Sequence, residues 1–424
     1  MKFFLFSILI AFFSLTSLSA QEMDLFNIDI NNLDSIFDEP LEQTHVEQSS
    51  SEPGVQTSIL QDIRKRGVEF IASYYFRGAI NPGWDILPWD SKDGKHFSWA
   101  IGVETGATIE LNAQITESFR VKSTVSFQIP GFNFNLGDFF LDYNFFNRVF
   151  LRAGKFEQGW GISPNFGFTN LLSRIAIQQE TPSNGPSYIL KLDVPIGLGG
   201  LQLLTLTRVN LAGGDKPALK YFGFGGKYNL AFRWADFNLG IYYQDYMATR
   251  LFLSAKTSVW NIDIYNEWLF AINTHTDKTF KFSVNLGFSR SFFKEKLELN
   301  AEFFYNGEEN TSFYRPESEF REEDSIPFIK GINFALNLRY KFDVKTNPRI
   351  FARFLYGDES FSIVPGVSIT PFTNVEIYFA IPIAFGKKDG YYYQNAVNIR
   401  NQHSPFSFLL YVSFNGSVRA SKYF

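Results

Sequence analysis

Four histidines, His45, His96, His275 and His403, are the only imidazoles in the chain, and there is no cysteine. Acid–base or nucleophilic catalysis needs a base within hydrogen-bond reach of its nucleophile. His275 has Asp277 two residues on and His403 is followed by Ser404, but adjacent residues of an extended strand point apart, which is poor geometry for such a pair. No Gly-x-Ser-x-Gly elbow, His-Glu-x-x-His pair or phosphate loop accompanies them. Without cysteine there is no disulfide, thiolate metal site or thiol catalysis. The acidic run Glu317, Glu319, Glu322, Glu323 and Asp324 lacks calcium-loop spacing, and no basic patch with interleaved aromatics suggests nucleic acid. The expectation is a protein that is not an enzyme, with no catalytic residue, no metal and no cofactor. The chemistry the chain does offer is charge placed at every second position. Arg120, Lys122, Arg250, Lys256, Lys281, Lys296, Arg339, Lys341, Arg349 and Arg353 stand against Glu104, Glu110, Glu298, Glu302 and Glu376, all on the polar side of alternating segments. A wall rich in Arg and Lys concentrates anions and slows cations.

The segments that carry these charges are strands. Trp99, Ile101, Val103, Thr105, Ala107, Ile109 and Leu111 alternate with polar or small residues, and so do Phe119, Val121, Val125, Phe127 and Ile129. A period of two gives a strand one apolar and one wet face. Phe, Tyr and Trp make up 18% of the chain, yet mean hydropathy is only −0.10, so apolar and polar side chains are finely interleaved. Past the N-terminus no run approaches the ~18 apolar residues of a membrane helix. The strands are long, about ten to twelve residues, which suits a tilted crossing of a bilayer. Aromatics crowd their ends, as at Phe139, Phe140, Tyr143 and Tyr391-Tyr392-Tyr393, where interfacial girdles are expected.

The N-terminus divides differently. Residues 1–20 have a lysine, an apolar run from Phe3 to Phe13 and small residues at Ser19-Ala20, as in a secretory signal peptide. Residues 21–65 read as an acidic, mostly disordered periplasmic tail and linker. Between Gln21 and Ile63 there are ten Asp or Glu and no Lys or Arg, with Leu25, Phe26, Ile28, Ile30 and Leu33 in the first part. Residues 64–424 then carry 38 basic and 33 acidic residues, and seven of those acids fall between Asn306 and Ile329.

Walking residues 66–424 gives eighteen strands: 67–79, 99–112, 119–129, 132–145, 148–157, 187–195, 201–210, 219–229, 236–246, 249–259, 262–272, 279–290, 296–306, 330–342, 349–356, 361–370, 375–386 and 405–416. Sixteen is the competing count. Single-chain bacterial barrels have even numbers, short periplasmic turns and longer external loops. With both termini periplasmic, the longest connections, 80–98, 158–186, 307–329 and 387–404, all fall outside. The fold expected is all-β, a transmembrane antiparallel up-and-down barrel of 16–18 strands, wide enough for an aqueous channel.

A signal peptide, no cysteine, amphipathic strands to the end and a terminal Phe424 after an alternating strand together resemble a Gram-negative-type outer-membrane β-barrel of the porin-like kind. Gly154-Lys155-Phe156-Glu157-Gln158-Gly159-Trp160-Gly161 is similar to a strand-end pattern of several porin-like families, without choosing among them. The resemblance implies outer-membrane lipid as the surrounding solvent, recognition of the last strand by barrel-assembly machinery, and passive diffusion of small hydrophilic solutes, with mild anion preference expected from the wall charges. In general porins the third external loop sets the constriction. By resemblance Phe166, Thr169, Asn170 and Arg174 are candidates for that role, with Thr169-Asn170 capping a short helix. The alternative is a poorly conducting surface barrel, an adhesin or a lipid or hydrophobe transporter, plugged by the acidic tail. The solute, monomer against homo-oligomer, and uptake against export stay open.

Overall fold

In a computed structural model of the chain, residues 66–88, 90, 96–130, 133–156, 158–166, 188–207, 222–244, 249–272, 280–307 and 331–423 are described. The segments expected as signal peptide and acidic tail, the helix expected at Thr169-Asn170, the acidic run after Gly307 and Phe424 lie outside the described residues.

Eighteen strands form one sheet: β1 (Gly67–Trp84), β2 (Phe97–Thr116), β3 (Phe119–Ile129), β4 (Asn133–Phe145), β5 (Val149–Lys155), β6 (Tyr188–Ile196), β7 (Gly199–Thr207), β8 (Phe222–Ala231), β9 (Asp236–Gln244), β10 (Thr249–Val259), β11 (Ile262–Ile272), β12 (Phe280–Phe292), β13 (Leu297–Asn306), β14 (Gly331–Lys341), β15 (Arg349–Gly357), β16 (Ser360–Phe372), β17 (Val375–Ala380 and Ile383–Gly386) and β18 (Phe406–Ser407 and Leu409–Tyr423). Each pairs antiparallel with its chain neighbour, and β18 pairs back onto β1 from Leu410↔Ile80 to Tyr423↔Gly67, so the sheet is closed. Closure removes the unpaired edge that hydrocarbon cannot tolerate. The expected eighteen strands are therefore present. The last strand runs past the expected 416 to Tyr423 because β1 starts at Gly67 and offers it backbone partners that far. The two split strands break where proline lacks a donor: the ladder resumes through Ala384 N–H to Pro405 O and Phe408 N–H to Pro82 O.

The period of two becomes two surfaces. On β1 and β18 the even-numbered Phe70, Tyr74, Phe76, Ile80, Leu410, Val412 and Phe414 face outward, while Asn81, Leu409, Tyr411 and Ser413 are buried on the inner side. The ends differ as predicted from loop lengths. One end holds only short connections, including the three-residue turn Phe146-Asn147-Arg148 and the two-residue turn Trp260-Asn261, with positive φ of 54° and 57° at Phe146 and Asn147 and of 53° and 58° at Trp260 and Asn261. Such left-handed pairs match the twist of the flanking strands. Phe146 and Trp260 are 93% and 86% exposed at these tips, where rings anchor at a membrane–water interface.

One expected girdle element is corrected. Tyr391-Tyr392-Tyr393 is not on a strand but in a one-turn helix, α1 (Tyr391–Gln394), in the last external connection. Gly390 N–H bonds to Lys387 O and the helix opens from that turn, so Tyr393 is directed into the protein and buried. Burial pushes the Tyr391 and Tyr393 phenols above their ordinary range, so both stay neutral.

An outward position tests the lipid face. Leu253 sits mid-strand on β10, 40% exposed, between buried Phe252 and Ser254. Leu253→Arg should cost about 2–4 kcal/mol if it lies near the bilayer midplane, whereas a soluble barrel would accept it. Folding titrations into lipid vesicles measure the difference.

Candidate functional site

The inner wall is not an open ring of charges, because among the described residues parts of two connections fold into it. The first begins at Gly154, whose φ is +142° and whose added Cβ would lie 2.2 Å from Phe139 O. Only glycine allows the chain to leave β5 this close to β4. The following residues carry Phe156, Trp160 and Phe166 into an apolar cluster with inward side chains of the wall, among them Phe140, Leu206, Tyr242, Phe252 and Phe304. Phe166 stacks on Phe304 at 5.2 Å, and Trp160 lies 5.1 Å from Phe252. Gly225 faces the indole: a Cβ there would meet Trp160 at 2.5 Å.

Polar contacts fix the same segment. Glu302 on β13 accepts from the backbone N–H groups of Asn165 (2.9 Å) and Phe166 (3.0 Å), from Asn165 Nδ2 (2.9 Å) and from Ser163 Oγ (3.0 Å). From the wall, Tyr265 OH (2.9 Å) and Asn285 Nδ2 (3.2 Å) donate to the same carboxylate. Glu267 on β11 takes Ile162 N–H at 2.5 Å, and Asn165 joins Asn300 and Asn337 at 2.6 and 2.7 Å. A carboxylate that gathers backbone N–H groups orders a loop which, placed inside a lumen, would otherwise hold unpaired donors. Trp160 Nε1–H donates to Gln202 Oε1 at 2.5 Å, Gln202 donates to Asp193 at 2.8 Å, and Asp193 pairs with Lys191 at 3.0 Å. The indole is thereby linked to the charged wall.

The last external connection lines a different arc. Ile399, with Ala79, Ala100, Phe351, Tyr378, Leu409 and Tyr411, forms a second cluster on β1, β2, β15, β17 and β18. Asn81 holds it, accepting from Ile399 N–H at 3.0 Å and donating to Phe408 O at 2.8 Å. Ser404, beside His403, donates to Phe406 O at 3.2 Å and is buried, while the imidazole packs 5.2 Å from the Tyr393 ring, so the two do not form a base–nucleophile pair. His96 pairs instead with Asp85 at 2.9 Å.

Nearer the short-turn end the wall is ionic. Asp142 on β4 lies between two guanidiniums, Arg152 (Nε to Oδ1, 2.7 Å) and Arg120 (Nη2 to Oδ2, 2.5 Å), both donating charge-assisted hydrogen bonds to its carboxylate. Lys122 bridges Glu110 at 3.4 Å and Asp138 at 3.7 Å, and Lys256 approaches Asp263 at 3.9 Å. Across the lumen, Glu298 is held by Arg339 (2.5 Å) and Lys341 (2.7 Å), with Arg349 and Arg353 on the neighbouring β15. Tyr75 OH donates to Glu104 at 2.5 Å, and Gln128 donates to the same carboxylate at 2.9 Å.

The sequence-predicted charges thus lie on inward-facing strand positions, but in two classes. Glu104, Arg250, Glu302 and Arg339 are almost fully buried among wall and loop residues. Arg120, Lys122, Glu110, Lys256, Lys281, Glu298, Arg353 and Glu376 are half-buried. Phe166 sits inside the barrel. Thr169, Asn170 and Arg174 lie outside the described residues. Sequence reasoning missed Glu267, Trp160, Asn300 and Asn337 as holders of the inward segment. The alternation on β11, with Tyr265 and Glu267 in one phase, and the glycine-flanked Trp160 were the traces available.

No protein-family model matches the chain, and no curated protein does. Solved structures do. Pseudomonas aeruginosa OpdO aligns with a TM-score of 0.53 at 10% identity, over 83% of this chain and 97% of that one. Pseudomonas aeruginosa OccK11 (OpdR) gives 0.53 at 9%, over 84% and 99%, and Acinetobacter baumannii OccAB3 gives 0.50 at 10%, over 82% and 99%. At such identities the likeness is one of fold. The chain folds as a closed eighteen-stranded antiparallel up-and-down β-barrel, similar in architecture to OpdO and OccK11 (OpdR) of Pseudomonas aeruginosa and OccAB3 of Acinetobacter baumannii.

Proposed function

We propose that this protein is an outer-membrane porin through which small hydrophilic solutes diffuse passively, with a mild preference for anions. The observation that carries the reading is a closed barrel whose inner wall is ionic at the short-turn end, with Phe156, Trp160 and Phe166 packed against its inner side. Among the charges named on that wall, the nine cations Arg120, Lys122, Arg152, Lys191, Lys256, Arg339, Lys341, Arg349 and Arg353 stand against the seven carboxylates Glu104, Glu110, Asp138, Asp142, Asp193, Asp263 and Glu298, a small positive excess. In a pore of low-dielectric walls that excess acts on every ion that enters.

Reversal potentials of the purified chain in a planar bilayer under a KCl gradient test it. Chloride should permeate faster than potassium at neutral pH. Lys122→Glu, Lys256→Glu and Arg353→Glu combined should reverse the preference with little loss of conductance. Cation selectivity of the unaltered chain would sink the anion reading.

The apolar rings inside the barrel are the one feature that favours a hydrophobe transporter. Trp160, Phe252 and Phe304 are each 1% exposed, Trp160 lying against Phe252 and Phe304 against Phe166, so they present no surface to a passing ligand. Stable open steps in salt solution support the porin reading, and their absence supports the alternative.

A further inference from the structure

We infer that Lys227 on β8, together with Lys191 on β6, forms a binding site for a small oxyanion of the phosphate type on the inner wall beside Trp160. Its effect on current rests on the porin reading, whereas the binding itself does not.

Strand register places the group. Asp193 on β6 faces Gln202 on β7, and Gln202 faces Lys227 on β8, so the three stand in one row on the inner side of the barrel. Their polar atoms are used unevenly along it. Asp193 takes Lys191 on Oδ2 at 3.0 Å and Gln202 on Oδ1 at 2.8 Å, and Gln202 gives its own oxygen to the Trp160 indole. Lys227 comes last in the row. Its ammonium has no hydrogen bond, ion pair or ring partner among the described residues. The next position across, Gly240 on β9, has no side chain to offer.

Burial gives that ammonium its consequence. Lys227 is 9% exposed, its stem covered while Nζ is not enclosed. A cation taken largely out of water without a counter-charge is unfavourable, and the same surroundings strengthen its attraction for an anion that arrives. The charges that act on it are Lys191 and Asp193, so two cations stand against one carboxylate. Both oxygens of that carboxylate are already engaged. Two residues before Lys227, on the same face, a Cβ at Gly225 would meet Trp160 at 2.5 Å. The ammonium therefore lies one inward position nearer the short-turn end than the indole. A lysine ammonium carries three donors, and an anion with several oxygens can accept from Lys227 and Lys191 together, which a single chloride does less well.

Two measurements on the purified full-length chain decide. A ligand that binds only the folded state raises the unfolding midpoint, whether or not the barrel conducts. Inorganic phosphate should raise the midpoint of the unaltered chain above that in potassium chloride of equal ionic strength. Lys227→Gln removes a lone buried charge and so should keep the fold, seen as unchanged heat-modifiable mobility on a gel, yet lose the excess. In Lys191→Gln the same excess should need roughly tenfold more phosphate, as for one lost hydrogen bond to a charged group. General salt effects on stability are common to all three chains. An excess equal in the unaltered chain and Lys227→Gln overturns the site, and one unchanged in Lys191→Gln overturns the pairing of the two lysines. Bilayer recording then reads the consequence: phosphate should lower the chloride current, with roughly tenfold more needed for the same block in Lys227→Gln. An identical block in both chains overturns the role in permeation. If neither chain conducts, the porin reading fails, and the midpoints still decide whether the oxyanion binds.

Discussion

If the barrel conducts as proposed, Glu302→Ala should raise its conductance and open-channel noise. The carboxylate is fully buried and receives two backbone N–H groups, Ser163, Asn165, Tyr265 and Asn285. Hydrogen bonds to a charged acceptor contribute about 1.5–3 kcal/mol each, and donors left buried without a partner cost about 1–3 kcal/mol. Not all are lost at once, since water enters the lumen, so a net loss of about 3–5 kcal/mol is expected. That is enough to detach residues 163–166 from β13, because nothing covalent holds them there. Conductance should rise and open-channel noise increase, while the barrel keeps its heat-modifiable mobility on a gel, since the β13 ladder itself is untouched. Glu302→Gln should lie between: the amide keeps one acceptor oxygen but turns an NH₂ toward donors. Unchanged conductance in Glu302→Ala would show that the inward segment does not narrow the path.

Trp160→Ala should have the second large effect, by a different route. The indole is 1% exposed, packs 5.1 Å from Phe252, and bonds through Nε1 to Gln202. Truncating a buried Trp costs about 3–5 kcal/mol, partly as lost apolar burial and partly as the cavity left behind. Here the neighbour is Gly225, which has no side chain to fill the gap. Gln202 also loses its donor, and with it the orientation of Asp193 and Lys191. The variant should unfold at lower denaturant and show reduced anion preference, because Gln202 no longer holds Asp193 beside Lys191. Gly225→Val is the complementary probe, driving the ring from its seat without removing it. A Trp160→Ala chain with unchanged midpoint and selectivity would refute the link between the segment and the charged wall.

The two effects come from residues of opposite legibility. The inward phase of Glu302 on β13 was plain, because Glu298, Asn300 and Glu302 alternate with Leu297, Leu299 and Phe303. Its role was not, because its partners lie on a connection 137 positions earlier. Trp160 stood in a glycine-flanked motif that gave its position at a strand end and nothing of its direction. The Tyr391–Tyr393 run misled for a related reason: aromatic clusters occur both at interfacial strand ends and on short loop helices, and local composition does not separate them.

What the amino-acid sequence determined by itself was everything governed by local period and connection length. A period of two assigns each residue to one face of a strand whatever the strand pairs with, and loop length alone sorts the ends of an antiparallel meander. A count of sixteen to eighteen strands, the sorting of short and long connections to opposite ends and the face each charge occupies follow from that, and the closed sheet decides for eighteen. Only the tertiary structure decided closure of β18 on β1, the seating of Phe156, Trp160 and Phe166 against β7, β10 and β13, and the gathering of loop N–H groups by Glu302 and Glu267. These are contacts between segments far apart along the chain, made where barrel curvature brings opposite walls together. No local pattern encodes that distance, because it is set by the number, tilt and stagger of all the strands at once.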